Sequence, residues 1–224
     1  MKYLKRIGML ALLETHWTGH AVTKIRSTTI IHSGSSSSRI HGVAIALSPR
    51  ACAAWEAAGI VFNPVSERIL SIRVRIHMSY ATIIAVYAPT NPLNSSCSAN
   101  EPSDTFYDLL QATLSAAPQR DMIIILGDFN ARVGADSHQG KTIIGPHGLG
   151  EQNGNGKRLF DFCTANQLLV TNIWFQHKPL HQATWYRNGN RSHPGHMIDY
   201  VLVNNHFRSS VLDTSMFRST YLDV

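Results

Sequence analysis

Cysteine is scarce in this chain, with only Cys52, Cys97 and Cys163. They are odd in number, far apart and without paired metal-ligand spacing, which argues against a disulfide framework or a zinc site and fits a reducing compartment. Charge is also thin, at 15% of 224 residues, but Lys and Arg exceed Asp and Glu by six. That excess favours polyanionic partners without proving one. No apolar run is long enough to span a bilayer. The basic start Met1-Lys2-Tyr3-Leu4-Lys5-Arg6 is followed by a short apolar stretch that Glu14 and His16 interrupt, and no small-residue cleavage site closes it. Neither a membrane span nor a signal peptide is expected, and an intracellular setting, the nucleus included, fits.

What is present is strand-rich. Apolar, β-branched segments alternate with Gly, Pro and Ser punctuation, which predicts sheets with a few helices rather than a bundle. Strands are expected at Met9–Leu13, Gly42–Leu47, Ile69–Ile76, Thr82–Tyr87, Met122–Leu126, Leu168–Thr171, Ala183–Tyr186, Met197–Val203 and Val211–Phe217. Alternation of Ile72, Val74 and Ile76 with Arg73, Arg75 and His77 gives one strand a core face and a solvent face. Ile123 to Leu126 lacks alternation and reads as a strand buried on both faces.

Two helices are expected: Ser103 as N-cap to Ala117, with Phe106, Leu109, Leu110 and Leu114 as its stripe, and Lys157 to Asn166. Ser33–Ser38 and Asn91–Pro102 read as connections, and the Gly-, His- and Asn-rich stretch from Gly134 to Gly156 as a functional loop. With 44% hydrophobic residues the chain can bury one core, and a single domain over residues 1–224 is expected.

The strongest local signal is Ile123-Ile124-Ile125-Leu126-Gly127-Asp128-Phe129-Asn130, an apolar strand closed by Gly and then by an acid and an amide two residues apart. Period two places Asp128 and Asn130 on one side, where they could activate water and hold a phosphate oxygen. The plain alternative is an Asp-x-Asn turn. Three other residues invite the same double reading. Glu14 ends a strand and could equally be a solvated cap, and Tyr87 could simply close a half-buried strand. Asp199, between apolar neighbours, is costly unless paired, which favours a functional partner.

Taken together, these stations resemble those of the endonuclease/exonuclease/phosphatase family, in order and along essentially the whole chain. Gly127-Asp128-Phe129-Asn130 resembles its Gly-Asp-Phe/Leu-Asn motif, and Leu12-Leu13-Glu14-Thr15 its Leu-Gln-Glu-Thr strand end. Tyr87-Ala88-Pro89-Thr90 resembles its Tyr-x-Pro-Thr/Asn station, and Ile198-Asp199-Tyr200 its Ile/Leu-Asp-Tyr strand. Glu14-Thr15-His16-Trp17 and Arg218-Ser219-Thr220-Tyr221 look like the branch carried by non-LTR retrotransposons.

The resemblance implies an α/β (α+β) four-layer sandwich, two packed mainly antiparallel sheets flanked by helices. It implies Mg²⁺ or Mn²⁺ as cofactor, held by Glu14, and DNA as partner and substrate. Asp128, Asn130, Tyr87 and Asp199 would be catalytic, with Thr90 meeting substrate. Apart from the resemblance, Lys157 and Arg158 follow Asn153-Gly154-Asn155-Gly156 at a helix start and could meet a DNA backbone, although basic residues there are usually just solvated. An opening strand ending in Asn and a closing Ser-Asp-His, both part of the family pattern, are not found, so the domain is expected to be truncated at both ends, without its first and last strands. Two rival expectations follow: an inactive remnant that binds nucleic acid or protein as a scaffold, and a phosphatase acting on a small phosphorylated substrate.

Overall fold

The computed structural model describes residues 8–90, 101–134, 143–178, 181–186 and 195–215. Their contacts gather into two compact units, Met1–Asp128 and Phe129–Val224.

The first unit holds strands β1 (Met9–Leu13), β2 (His20–Ile25), β3 (Thr28–Ser33) and β4 (Val43–Leu47), helix α1 (Pro49–Glu56), strands β5 (Phe62–Ser66), β6 (Ile69–Ile76) and β7 (Ser79–Tyr87), helix α2 (Glu101–Ala116) and strand β8 (Met122–Asp128). One antiparallel sheet runs β1-β4-β3-β2. A second runs β5-β6-β7-β8, antiparallel except for the parallel pair β7–β8, whose crossover is α2. Ile31, Ile45 and Leu47 of the first sheet and Leu70, Ile72 and Ile83 of the second share one core. The expected architecture, α+β with two packed, mainly antiparallel sheets and helices, is the one observed.

Local chemistry explains the frame. α1 starts because the Ser48 side chain accepts from the Ala51 N–H at 3.3 Å and Pro49 occupies the first turn, where its missing N–H costs nothing. On β6 the expected two-faced pattern holds, with Ile72 and Val74 buried and Arg75 exposed. Arg73 is neither free nor fully solvated. Its guanidinium lies 3.9 Å from the Tyr80 ring centroid and makes two bonds, of 2.7 and 2.9 Å, to the buried Asp121. Thr82 donates a third at 2.9 Å, and the Arg73 contact holds the Asp121 carboxyl below its usual range. This pair pins the start of β8 across β7 to β6.

In the second unit, α3 (Gly154–Ala165) is capped by the Asn153 side chain, which accepts from the Gly156 and Arg132 N–H groups at 2.7 and 2.9 Å. Strands β9 (Leu168–Val170) and β10 (Asp199–Asn204) pair antiparallel. Tyr200 donates its hydroxyl to the Met197 carbonyl at 2.8 Å.

Several expectations are corrected. Val211 closes a 3-10 segment over Asn205–Ser210 and residues 211–215 form no strand, while Met216 and Phe217 lie outside the described residues. Ala183–Tyr186 contributes one bridge, Trp185 to His196, rather than a strand. α2 begins at Glu101, so Ser103 is a buried residue of its first turn and not its cap; the buried stripe is Ser103, Phe106, Leu110 and Thr113, with Leu109 turned outward. α3 starts three residues before Lys157. Ser33 belongs to β3, and Asn91 to Asn100 lie outside the described residues. β2, β3, β5 and α1 were not expected.

Candidate active site

Three strands of the first unit end in the residues that matter. β1 delivers Glu14 one residue past Leu13, β7 ends at Tyr87 and β8 at Asp128. Tyr87 and Asp128 are register partners in the parallel pair, and the Ala88 N–H donates to the Asp128 carbonyl at 2.8 Å just beyond it. A parallel pair brings both carboxyl ends to one edge.

Gly127 makes this edge possible. Its φ is +151°, and a Cβ there would sit 1.9 Å from the Val86 carbonyl oxygen. The glycine that closes the apolar run therefore lets β8 approach β7 and present the acid.

Tyr87 is half-buried and its phenol hydrogen-bonds to the Glu14 carboxylate. Burial first, and then that bond and the charges of Glu14 and Asp128, push its pKa up to about 12. At neutral pH the group is a phenol with a proton to donate. Glu14 is exposed and takes φ +52°, a left-handed conformation that turns the chain sharply at the strand end. Two carboxylates and a neutral hydroxyl donor thus share one neighbourhood. Such a set can hold a cation, position water and donate to a phosphate oxygen.

Two residues of this neighbourhood escaped the sequence reading. The Arg68 guanidinium lies 5.1 Å from the Tyr87 ring centroid and donates to the Tyr87 carbonyl at 3.1 Å. His41 lies 2.9 Å from the same guanidinium, through its Nε2, and its ring is 5.8 Å from that of Tyr87. Burial, and then Arg68, lower the His41 pKa. Neither residue carries a local motif; Arg68 sits in the turn before β6 and His41 in the connection before β4, and the Gly42 N–H bond to the Glu67 carbonyl, 3.0 Å, also ties these segments together.

The other candidates stand apart in character. Thr90 is exposed beyond β7. β8 stops at Asp128 and Asn130 takes φ +47°, so strand alternation does not carry through to it. In the second unit the Phe129 N–H donates to the Ile198 carbonyl at 2.9 Å, which brings the Asn130 segment beside that of Asp199. Burial raises the Asp199 pKa, and Thr184, another residue the sequence did not point to, opposes this through a side-chain hydrogen bond. The Thr184 hydroxyl also accepts from the Ile198 and Asp199 N–H groups at 3.0 and 3.3 Å. Lys157 is exposed and paired with Asp161 at 3.0 Å, at the end of the first turn of α3, and Arg158 follows it.

The chain is 35% identical over 205 residues to craniofacial development protein 2 of Bos taurus, covering 92% of this chain and 32% of that protein. It thus spans about a third of the curated relatives it matches. Among solved structures it resembles the APE2 catalytic domain of Xenopus laevis, with a TM-score of 0.61 at 15% identity, covering 92% of this chain and 77% of the other. It also resembles the endonuclease domain of TRAS1, a telomere-specific non-LTR retrotransposon, with a TM-score of 0.53 at 12% identity, covering 90% and 74%. Residues 3–217 match the model of the Endonuclease/Exonuclease/phosphatase family, and the chain belongs to that family.

Proposed function

We propose that this chain hydrolyses phosphodiester bonds in DNA with a divalent cation, as a retrotransposon-type endonuclease. The observation that carries the reading is the meeting of Glu14, Tyr87 and Asp128 at the ends of three strands. Net charge of +6 and the likeness to a retrotransposon endonuclease domain support DNA as the substrate.

The donor set fits magnesium or manganese better than a closed metal cage. Among the described residues no three His, Cys, Asp or Glu side chains gather as a ligand group. Mg²⁺ commonly takes one or two carboxylates, keeps several waters and shares substrate phosphate, and the exposed Glu14 carboxylate suits that role. When bound, such an ion neutralises the phosphate and the leaving oxygen.

The chain's own groups do the rest. Asp128 orients the attacking water and takes its proton. Tyr87, kept protonated, moves its one donated hydrogen bond from Glu14 to a non-bridging oxygen as charge develops there. By resemblance to the family, Asn130 orients phosphate, Asp199 orients a histidine and Thr90 meets substrate, while Lys157 and Arg158 near the start of α3 offer positive charge to the backbone of the nucleic acid.

Metal removal tests the reading. Supercoiled plasmid is expected to become open-circular in the presence of Mg²⁺ and to stay intact when EDTA replaces it. Equal cutting in both conditions defeats the metal role. No cutting in either defeats the hydrolase reading and leaves the scaffold alternative.

A further inference from the structure

Arginines on β6 and in the turn before it do two different jobs. Arg73 makes a two-point bond to a buried carboxylate, the ordinary structural use of a guanidinium. Arg68 is half-buried as well, yet its bonds run to a backbone carbonyl and to an imidazole nitrogen. Burial lowers its pKa, so this placement costs desolvation.

What Arg68 receives in return is a grip on one residue. Its carbonyl accepts from the Tyr87 N–H at 2.9 Å, its Nη1 donates to the Tyr87 carbonyl at 3.1 Å, and its Cζ stands 5.1 Å over the Tyr87 ring centroid. Its Nη2 meets His41 Nε2 at 2.9 Å, and the His41 ring lies against the same tyrosine.

Strained backbone collects at the same place. Glu14, His16 and His41 have φ of +52°, +54° and +65° without being glycine. The two segments are tied by the Thr15 N–H to the Gly42 carbonyl at 3.1 Å and the His16 N–H to the His41 carbonyl at 2.8 Å. Strain of this kind persists only where surrounding contacts overdetermine it, and it clusters at working sites.

We infer that Arg68 and His41 form a clamp that positions Tyr87 with its hydroxyl on Glu14. They are positioning residues, which need not touch substrate, and their kinetic role rests on the phosphodiester reading above. A clamp of this kind fixes a donor before substrate arrives, and misplacement of a reacting group by about 1 Å can cost on the order of a hundredfold in rate.

Two readouts test it on the whole chain. In plasmid nicking, Arg68→Met is expected to lower kcat about 30-fold with KM within about threefold of the wild type. Arg68→Lys keeps the charge but not the fork, so it recovers only a minor part of the loss. The second readout does not need activity. The ¹³C resonance of Tyr87 Cζ, assigned by its loss in Tyr87→Phe, is expected to move in Arg68→Met and in His41→Phe toward its position in the unfolded chain. His41→Phe keeps a ring and removes the nitrogen, and it carries the test should Arg68→Met fail to fold. An unmoved Cζ resonance in a folded variant, or a loss confined to KM, overturns the clamp. A wild type that cuts nothing defeats the hydrolase reading instead, and the Cζ resonance still decides whether the clamp exists.

Discussion

Gly127→Ala is expected to destabilise the chain by about 4 kcal/mol, a large part of the stability of an ordinary domain. Two costs add. At φ +151° an alanine is strained, and its Cβ would stand 1.9 Å from the Val86 oxygen and 2.8 Å from the Val86 carbonyl carbon. Those atoms are backbone of the paired strand β7, so relief requires β7 and β8 to part. Gly150→Ala is the matched control. It also has positive φ, +64°, but nothing lies within 4 Å of the new Cβ, so only strain of about 1 kcal/mol is expected. Urea unfolding of both variants checks this, and equal losses for the two would contradict the close approach assigned to Gly127.

Asp128→Ala is expected to do the opposite: leave the fold and remove the chemistry. The side chain is half-buried at a strand end, so loss of stability stays within about 1 kcal/mol. Under the proposed mechanism it takes the proton of the attacking water, and deleting a positioned general base costs about a thousandfold. Single-turnover nicking with saturating protein measures it, with the unfolding midpoint recorded on the same preparation. A variant that cuts within tenfold of the wild type would remove Asp128 from the mechanism.

Why some of this was legible and some was not follows from where each signal resides. Core strands declared themselves through apolar residues, as Ile72 with Val74 did on β6 and Ile123 with Ile125 on β8, although Ile124 and Leu126 are only half-buried, so β8 is not enclosed on both faces as its unbroken run suggests. β2 did not, because all six of its residues are exposed at a sheet edge and leave no hydrophobic alternation to read. β5 was hidden by Pro64, which argues against a strand except at an edge or bulge; β5 is an edge strand, and its register shifts between Pro64 and Ser66. α1 had its Ser48-Pro49 start in plain view, but eight residues are too few for a convincing helical stripe.

The site divides along the same line. Glu14, Tyr87 and Asp128 each close a strand and each sits in a short motif, so local sequence exposes them. Arg68 and His41 lie in connecting segments 27 residues apart, and their meeting depends on tertiary bonds between those segments. Asn130 shows the limit of counting by twos, since its left-handed backbone lies beyond the end of the strand.

The most direct test of the account is to ask where a divalent ion settles. Titrating Mn²⁺ into the isotope-labelled chain should broaden the amide signals of Glu14, Thr15, Tyr87 and Asp128 first, at less than one equivalent, and Glu14→Gln should abolish that order. Broadening that begins elsewhere in the chain, or is unchanged in Glu14→Gln, would contradict the cation site on which the hydrolytic mechanism stands.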